Sequence, residues 1–310
     1  MENPVLIIAG PTASGKSALA VAAARSLNGV ILNCDAMQIY KNIPIIAATP
    51  SAEETAAAEH RLFELYECDK RGNVVEWLDL CVAEIHSLWA ENRLPIVVGG
   101  TGMYIDALIN GVTPIPPISP SVREKVREEL GQNGLESLYA VLQKEDVEIA
   151  RKLNPNDKTR IVRAVEILWS TGKKVSQWYK VPMIKKLPEA RFVVVKIMPP
   201  LNEIEERCKL RLDKMVSEWG ALKEIEHLVR MRLPEDLPAM KALGVPELSA
   251  YIKGETSLED AVSQAKLHTR QYAKRQRTWL KNKLESDIIF EKAFIGQKEY
   301  LQQIISVLNL

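Results

Sequence analysis

The 310-residue sequence has few of the residues and runs that mark secreted, membrane or zinc-binding proteins. Its four cysteines, Cys34, Cys68, Cys81 and Cys208, form no Cys-x-x-Cys pair or Cys/His cluster. Their spacing argues against a zinc site and favours free thiols in a reducing compartment. No apolar run is long enough to cross a bilayer, and an apolar segment begins almost at Met1, so we expect no secretory leader. The sequence therefore predicts a cytoplasmic protein with no membrane partner.

The balance of charge excludes a global field that would attract nucleic acid. The 41 Lys and Arg residues nearly match the 40 Asp and Glu residues, and the formal net charge is +1. Any nucleic acid partner must therefore bind local basic patches. The apolar content of 46% is ordinary for a globular chain, so one large or two ordinary domains are expected.

The most informative motif is a phosphate-binding loop near the start of the chain. It has two glycines followed by Lys and a hydroxyl residue, between an apolar run at 5–9 and a helix-forming run at 18–24. Its members are Gly10, Pro11, Thr12, Ala13, Ser14, Gly15, Lys16 and Ser17. We predict that the backbone N–H groups and Lys16 bind a diphosphate or triphosphate, with Ser17 as a ligand of Mg²⁺. The motif alone leaves open whether that group belongs to a nucleotide.

Alternating strands and helices predict an α/β fold with a parallel sheet covered on both faces. The further strand candidates are residues 29–33, 94–98 and 192–197, with a weaker one at 287–290. The alternation stops at the Pro-rich stretch 114–120, after which the chain is charged and helical. We predict a catalytic core of residues 1–113 and 191–310, with a helical insertion of residues 114–190.

Two positions follow predicted strands at the edge of the sheet where ligands bind. Asp35 comes after the second strand, and the turn Gly99-Gly100-Thr101-Gly102 comes after the third. Asp35 is either a turn or helix-cap residue, or a general base or magnesium ligand beside the phosphate loop. The turn is either a tight connection or a place where a ligand or another chain segment approaches closely, with Thr101 as its only side-chain donor.

Basic residues occur in three helical patterns. Arg207 and Arg211, one helical turn apart, form either a solvated face or a clamp on a leaving phosphate. Residues 158–163 form a basic helix start, and residues 266–283 carry many cations and no acid. A stripe in the second cluster is Lys266, Arg270 and Lys274, and its aromatic residues are Tyr272 and Trp279. Such surfaces bind phosphate backbones and stack on bases, with a solvated face as the alternative.

Taken together, these segments resemble the tRNA dimethylallyltransferase family, which prenylates adenosine 37 of certain tRNAs. The carriers beyond the phosphate loop are the stretches 33–40, 95–104, 156–164 and 272–279. The Asp-x-x-Gln-x-Tyr and Gly-Gly-Thr-Gly-x-Tyr patterns within them are specific in this order. The resemblance covers most of the chain and implies a P-loop NTPase-like core with a helical tRNA-binding insertion.

The resemblance implies that the loop holds the diphosphate of dimethylallyl diphosphate and not ATP. Asp35 is implied to take a proton from N6 of the adenine as the prenyl group transfers, with Thr101 beside it. Lys16, Arg211 and a Mg²⁺ on Ser17 are implied to neutralise the departing diphosphate. The catalytic set implied by the family is therefore Asp35, Lys16, Arg211 and Thr101.

The resemblance also implies contacts with the anticodon stem-loop of a tRNA, whose target base must leave the stack. The implied contact residues are Asp35, Ala36, Met37, Gln38, Thr101, Arg123, Thr159, Arg160, Ile161, Val162 and Arg163. No large apolar seam is evident, so a monomer is expected, and no zinc-finger extension is present, which favours a bacterial-type enzyme.

Three positions depart from the family pattern, and three other functions share part of the motif set. Ala36 stands where Ser is common, Thr49 replaces a usual Lys, and Val245-Pro246 replaces a Tyr-Arg pair. The main alternative is a P-loop kinase of a nucleoside or small metabolite, to which neither basic cluster would be useful. A non-catalytic RNA-binding protein and an adenylate isopentenyltransferase are the others.

Overall fold

The computed structural model, which describes residues 3–309, contains a parallel β-sheet of six strands. The strands are β1 (Asn3–Ala9), β2 (Gly29–Asn33), β3 (His60–Arg61), β4 (Leu94–Gly99), β5 (Ala190–Ile197) and β6 (Ile288–Phe290). Their order across the sheet is β3-β2-β4-β1-β5-β6, and every pairing is parallel. The predicted α/β class is confirmed, although the two-residue strand β3 was not predicted because it is too short to show a pattern.

Fourteen α-helices are found in the described residues. They are α1 (Lys16–Ser26), α2 (Pro44–Ala47), α3 (Ala52–Ala57), α4 (Val74–Ala90), α5 (Gly102–Asn110), α6 (Pro120–Glu145), α7 (Val147–Ala150), α8 (Lys158–Thr171), α9 (Val175–Trp178), α10 (Leu201–Ser217), α11 (Ala221–Arg230), α12 (Val245–Ile252), α13 (Leu258–Lys283) and α14 (Lys298–Leu308). A single turn of 3₁₀-helix, Ala239–Lys241, lies before α12. Between residues 3 and 309, no helix combines the length and apolarity needed to cross a membrane.

Both faces of the sheet are buried, as expected for a parallel sheet. Leu6 and Ile8 of β1 pack with Leu19 of α1 in one apolar cluster. The alternate residues of the same strand, Val5 and Ile7, point to the other face and are also fully buried. The near-continuous apolar runs of the sequence follow from this double burial.

The sheet register places the predicted site segments at one edge. Ala9 of β1 is opposite Gly99 of β4, and Asn33 of β2 is opposite Val98 of β4. The phosphate loop, Asp35 and the Gly99–Gly102 turn therefore leave three neighbouring strands at the same level. This is the carboxyl edge, where open α/β sheets bind ligands.

The chain divides into two compact units. One ends at Ile109 and resumes at Lys186, and the other is Asn110–Lys185. Both ends of the second unit lie a few residues before the predicted ends of the insertion, 114 and 190. Val112 and Ile184 form an antiparallel bridge, with N···O distances of 3.1 and 2.9 Å. This bridge places both residues inside the second unit. The core of this second, helical unit is formed mainly by α6 and α8 and includes Leu138 and Val165.

Candidate active site

The phosphate loop joins β1 to the N-terminus of α1. Gly15 caps α1 with a φ of 88°, in the left-handed region that favours glycine, and a Cβ there would collide with the carbonyl oxygen of Phe294. A Cβ on Gly10 would lie 2.5 Å from Oγ of Ser14, which is itself completely buried. Both glycines of the motif are thus required by the local packing, and the unpaired N–H groups of the first helical turn provide an anion site.

Lys16 lies in the same loop and responds to the charges around it. Its Nζ is 3.4 Å from the carbonyl oxygen of Pro11. Burial lowers the pKa of Lys16 from 10.5 to about 8, the carboxylate of Asp35 opposes this decrease, and the guanidinium of Arg211 adds to it. Lys16 therefore interacts electrostatically with Asp35 and Arg211, two of its three partners in the implied catalytic set.

Two arginines of α10 hold the loop. Nε of Arg207 donates to the carbonyl oxygen of Ala13 at 2.7 Å, and Nη2 of Arg211 donates to Oγ1 of Thr12. Burial lowers the pKa of Arg211, and Asp35 partly offsets this effect. These side chains contact the phosphate loop and do not form a solvated helical face, while the predicted clamp on a leaving phosphate stays a prediction.

A cleft of about 970 Å³ opens beside the phosphate loop. Its lining includes Lys16 and Ser17 of the loop and Arg211 of α10. Its apolar side chains include Leu210 and Trp219, which are 63% and 48% exposed. One end of the cleft is therefore cationic, and other parts of its wall are apolar.

The short helix α2 forms another wall of the cleft and is held by two side chains. The carboxylate of Glu224 on α11 accepts the N–H groups of Ile45 and Ile46, each at 2.8 Å, and burial raises its pKa. Nε2 of Gln38 donates to the carbonyl oxygens of Ala47 and Ala48, at 3.1 and 2.7 Å. The amide nitrogen of Gln38, a predicted tRNA contact, is thus engaged within the protein.

Asp35 follows β2 and has the first of the two roles that the sequence left open, that of a turn residue. Its Oδ1 accepts the N–H of Met37 at 2.9 Å, and its own N–H donates to Oδ1 of Asn33 at 2.8 Å. Oδ2 has no hydrogen bond in the described part of the chain. The N–H of the next residue, Ala36, donates to Oγ1 of Thr101 at 3.1 Å. One carboxylate oxygen thus holds the turn, while the other is available for chemistry beside Thr101.

The glycines of the Gly99–Gly102 turn are explained by close approach of other segments of the same chain. A Cβ on Gly99 would collide with the carbonyl oxygen of Cys34, and one on Gly102 would collide with the indole of Trp279. Trp279 therefore packs on the turn, and base stacking by this half-buried residue stays a prediction. Burial raises the pKa of Tyr272, and hydrogen bonding with Thr101 partly opposes this effect. This face of α13 builds the site.

The cations of α13 divide into paired and exposed groups. Nζ of Lys266 is 2.6 Å from Asp213, and Nε of Arg270 is 2.5 Å from Glu205, so both pair with α10. Arg270 is exposed despite this pairing, and the exposed basic residues of the helix without an ion pair in the described part of the chain are Lys274, Arg275, Lys281 and Lys283. The predicted stripe is therefore partly neutralised, and the exposed cations are concentrated in the second half of the helix.

In the helical unit, the predicted basic cluster at residues 158–163 opens α8. The side chain of Asp157 caps this helix by accepting the N–H of Arg160 at 3.1 Å. The exposed members of the predicted set in this unit are Lys158, Thr159, Arg160, Arg163 and Arg123. Ile161 is completely buried in the core of the unit and Val162 is half-buried, so the side chain of Ile161 is a packing residue and not a tRNA contact.

The fold and the site together define an α/β phosphate-loop protein in which two arginines contact the loop and a carboxylate follows β2, two strands away from β1 in the sheet. A family model described as IPP transferase matches residues 38–283. The chain belongs to the IPP transferase family. This result confirms the family and the enzyme class, a transferase, that the motifs predicted, and the kinase alternative is not favoured.

Relatives and solved structures agree with this assignment. A protein from Zymomonas mobilis named tRNA dimethylallyltransferase is 43% identical, with 94% of each chain covered. One of the same name from Rhodospirillum rubrum is 40% identical, covering 95% of this chain and 90% of the relative. A tRNA isopentenylpyrophosphate transferase from Bacillus halodurans has 28% identity and a TM-score of 0.71, covering 99% and 96% of the two chains. A eukaryotic dimethylallyltransferase acting on tRNA has 28% identity and a TM-score of 0.84, covering 99% and 78%.

Two residues that shape the site, Gln276 and Glu224, were absent from the predicted set. Gln276 lies inside the stretch 272–279 that carried the family resemblance, but the basic residues around it indicated a charged surface and not a buried hydrogen-bonding residue. Glu224 had no signal in the sequence, because its two partners are backbone N–H groups far away along the chain.

Proposed function

We propose that this chain transfers the dimethylallyl group of dimethylallyl diphosphate to N6 of adenosine 37 in tRNA and releases diphosphate. tRNA prenylation is the function that the family and the named relatives support. The observation that carries the assignment of residues is the charge arrangement, in which the Asp35 carboxylate interacts with Lys16 and Arg211 at the phosphate loop. An acceptor base and a cationic leaving-group site thus lie side by side.

On the donor side, the diphosphate occupies the loop from Gly10 to Ser17. The backbone N–H groups of the loop, together with Lys16 and Arg211, stabilise the negative charge of the diphosphate. This charge develops as the bond between C1 of the prenyl group and the diphosphate oxygen breaks. The apolar side chains of Leu210 and Trp219 line the same cleft and offer the prenyl group an apolar wall.

The residues present also suit a magnesium ion bound chiefly through the substrate. Ser17 is exposed at the start of α1 and lines the cleft, so its hydroxyl oxygen faces the diphosphate position. Within residues 3–309, no group of three His, Cys, Asp or Glu side chains could hold a metal by itself. Mg²⁺ commonly binds in this way, with few protein ligands and several substrate oxygens, and it would neutralise diphosphate charge.

On the acceptor side, Asp35 acts as the general base. Its Oδ2 takes the proton from N6 as the nitrogen forms a bond to C1 of the prenyl group, and this proton transfer makes a weakly nucleophilic arylamine reactive. Oγ1 of Thr101 accepts the N–H of Ala36, and its hydroxyl group also hydrogen-bonds with Tyr272, so this side chain fixes the turn beside which the acceptor base is proposed to bind. Ala36 and Met37 lie in the same turn and are proposed to contact the nucleotide.

The helical unit is proposed to bind the anticodon stem-loop through its exposed cations. Lys158, Arg160, Arg163 and Arg123 supply charge, and Thr159 supplies a hydroxyl group. We place the activity in the cytoplasm, since the four cysteines are free and buried. The monomeric state stays a prediction, which size-exclusion chromatography with light scattering would test.

The decisive experiment incubates the protein with labelled dimethylallyl diphosphate, Mg²⁺ and unmodified tRNA, and maps the labelled nucleotide. We expect label on adenosine 37, and we expect Asp35→Asn to lower the single-turnover rate by about 10²- to 10⁴-fold while tRNA binding persists. The amide oxygen introduced by this substitution can still accept the N–H of Met37, so the turn is retained.

Asp79→Asn is the matched control, because Asp79 is an exposed carboxylate that pairs with Lys186, away from the phosphate loop. It is expected to react at the wild-type rate. An unchanged rate in Asp35→Asn would remove Asp35 from the mechanism. ATP turnover without tRNA would instead favour the kinase.

A further inference from the structure

The side chain of Gln276 connects the two halves of the proposed active site. Gln276 lies on α13 and is only 6% exposed. Its Oε1 accepts the N–H of Thr12 in the phosphate loop at 2.9 Å, and its Nε2 donates to the carbonyl oxygen of Gly100 at 3.0 Å. One buried amide therefore bridges the donor loop and the turn that carries Thr101.

The bridge has little freedom to move. A Cβ on Gly100 would collide with Nε2 of Gln276 and would lie 2.8 Å from the carbonyl oxygen of Gly10. Three chain segments thus meet at van der Waals distance, and a glycine is the only residue that fits between them. Since buried polar groups are costly when unpaired, both hydrogen bonds of the amide hold these segments together.

Thr12 is held from two directions. Gln276 accepts its N–H, and Arg211 donates to its Oγ1. Because the N–H of Thr12 is already engaged, it does not bind the diphosphate. Loss of Gln276 would therefore change the position of the loop without removing a phosphate ligand.

We propose that Gln276 is a positioning residue that sets the distance between the departing diphosphate and the acceptor base. This inference rests on the proposed function, because it concerns the same prenyl transfer. Transfer requires N6 and C1 of the prenyl group to approach in line, and a misplacement of about 1 Å costs about a hundredfold in rate. The expected signature is a lower kcat with KM values for both substrates unchanged.

Two substitutions separate positioning from simple loss of structure. Gln276→Leu removes both hydrogen bonds, and we expect kcat to fall by about a hundredfold. Gln276→Glu keeps the shape of the side chain, and its protonated form has one donor and one acceptor, like the amide. The ionised form can only accept, so it repels the carbonyl oxygen of Gly100. The ratio of its kcat to the wild-type kcat should therefore rise as the pH falls.

Dividing the kcat of Gln276→Glu by the wild-type kcat at each pH reduces the contributions of the other charged groups of the site. Lys16, Asp35, Tyr272 and Arg211 are present in the wild type and in both variants, so the ratio reports chiefly the substituted side chain. Thr269→Val is the matched control on the same helix, because Thr269 is also buried and its Oγ1 donates to the carbonyl oxygen of Ala265 in the preceding turn. It should keep the wild-type pH profile.

Each result has a distinct meaning. Absence of prenyl transfer by the wild-type protein would reject the proposed function itself. Transfer by the wild type, with a ratio for Gln276→Glu that does not change with pH, would overturn the positioning role even if Gln276→Leu fails to fold. An increase in KM for the prenyl donor with unchanged kcat would also overturn it. The positioning role would be supported if the ratio of variant to wild-type kcat rises as the pH falls for Gln276→Glu and stays constant for Thr269→Val.

Discussion

Lys16 should reduce the stability of the ligand-free protein, and its replacement should reveal by how much. Burial lowers the pKa of Lys16 from 10.5 to about 8. Each tenfold change in a proton dissociation constant corresponds to about 1.4 kcal/mol, so the charged side chain costs up to about 3 kcal/mol in the folded state at pH 7. Lys16→Met keeps most of the aliphatic stem and removes the charge. We therefore expect this variant to be more stable by up to that amount.

The sign of the pH dependence follows from linkage. Because the pKa is lower in the folded state, the unfolded chain binds more protons between about pH 8 and pH 10.5, and wild-type stability should rise across this window. Lys16→Met lacks this titration, so its advantage should shrink as the pH rises through the window. Lys16→Arg is the matched control, since Arg stays charged and should gain no stability.

The assay is urea unfolding at pH 7 and pH 10, with a chelator and without phosphate, so that no ligand stabilises the folded state. A parallel titration with inorganic diphosphate should show that binding is lost in Lys16→Met. The reasoning is refuted if Lys16→Met is no more stable than the wild type at pH 7, or if its advantage is the same at pH 10. A residue that weakens the fold while it binds the ligand is a common cost of an active site.

Two further predictions concern the tRNA and the wall of the cleft. Replacing Lys158 and Arg160 together by Ala should weaken tRNA binding and reduce the slope of log affinity against log salt by about one for each lost phosphate contact. Glu224→Ala should leave two backbone N–H groups of α2 without partners, which should lower the free energy of unfolding by about 2–3 kcal/mol and raise the KM for the prenyl donor.

Each of these two predictions has a control substitution in the same structural unit of the protein. Lys144→Ala, at an exposed position of α6, should not change the salt slope. Glu226→Ala removes an exposed carboxylate on the helix of Glu224 and should change stability by less than about 0.5 kcal/mol. An unaltered slope in the double variant would exclude that cluster from the interface, and an unaltered KM in Glu224→Ala would separate α2 from donor binding.

Features that depend on residues close together in the chain were predicted from the sequence, whereas features that depend on contacts between distant residues were not. The phosphate loop and the central strands were predicted because their signals are local, a glycine pattern and short apolar runs. The packing of Trp279 on the glycine turn was not predicted, since an exposed stacking residue and one packed on a glycine turn have the same sequence pattern. Ile161 was misassigned for a related reason, because it lies within a basic stretch but points to the core.

The sequence by itself determined the α/β class, the phosphate loop with Lys16 and Ser17, and the family, because ordered motifs of this kind record local geometry and chemistry. The tertiary structure decided what the cations of α10 contact, which oxygen of Asp35 is available, and how Gln276 joins the loop to the turn. These features depend on side chains that meet across the sheet edge after folding. Thr12 and Gln276 are 264 positions apart in the chain, yet the backbone nitrogen of Thr12 lies 2.9 Å from Oε1 of Gln276. No local sequence pattern can encode such a contact.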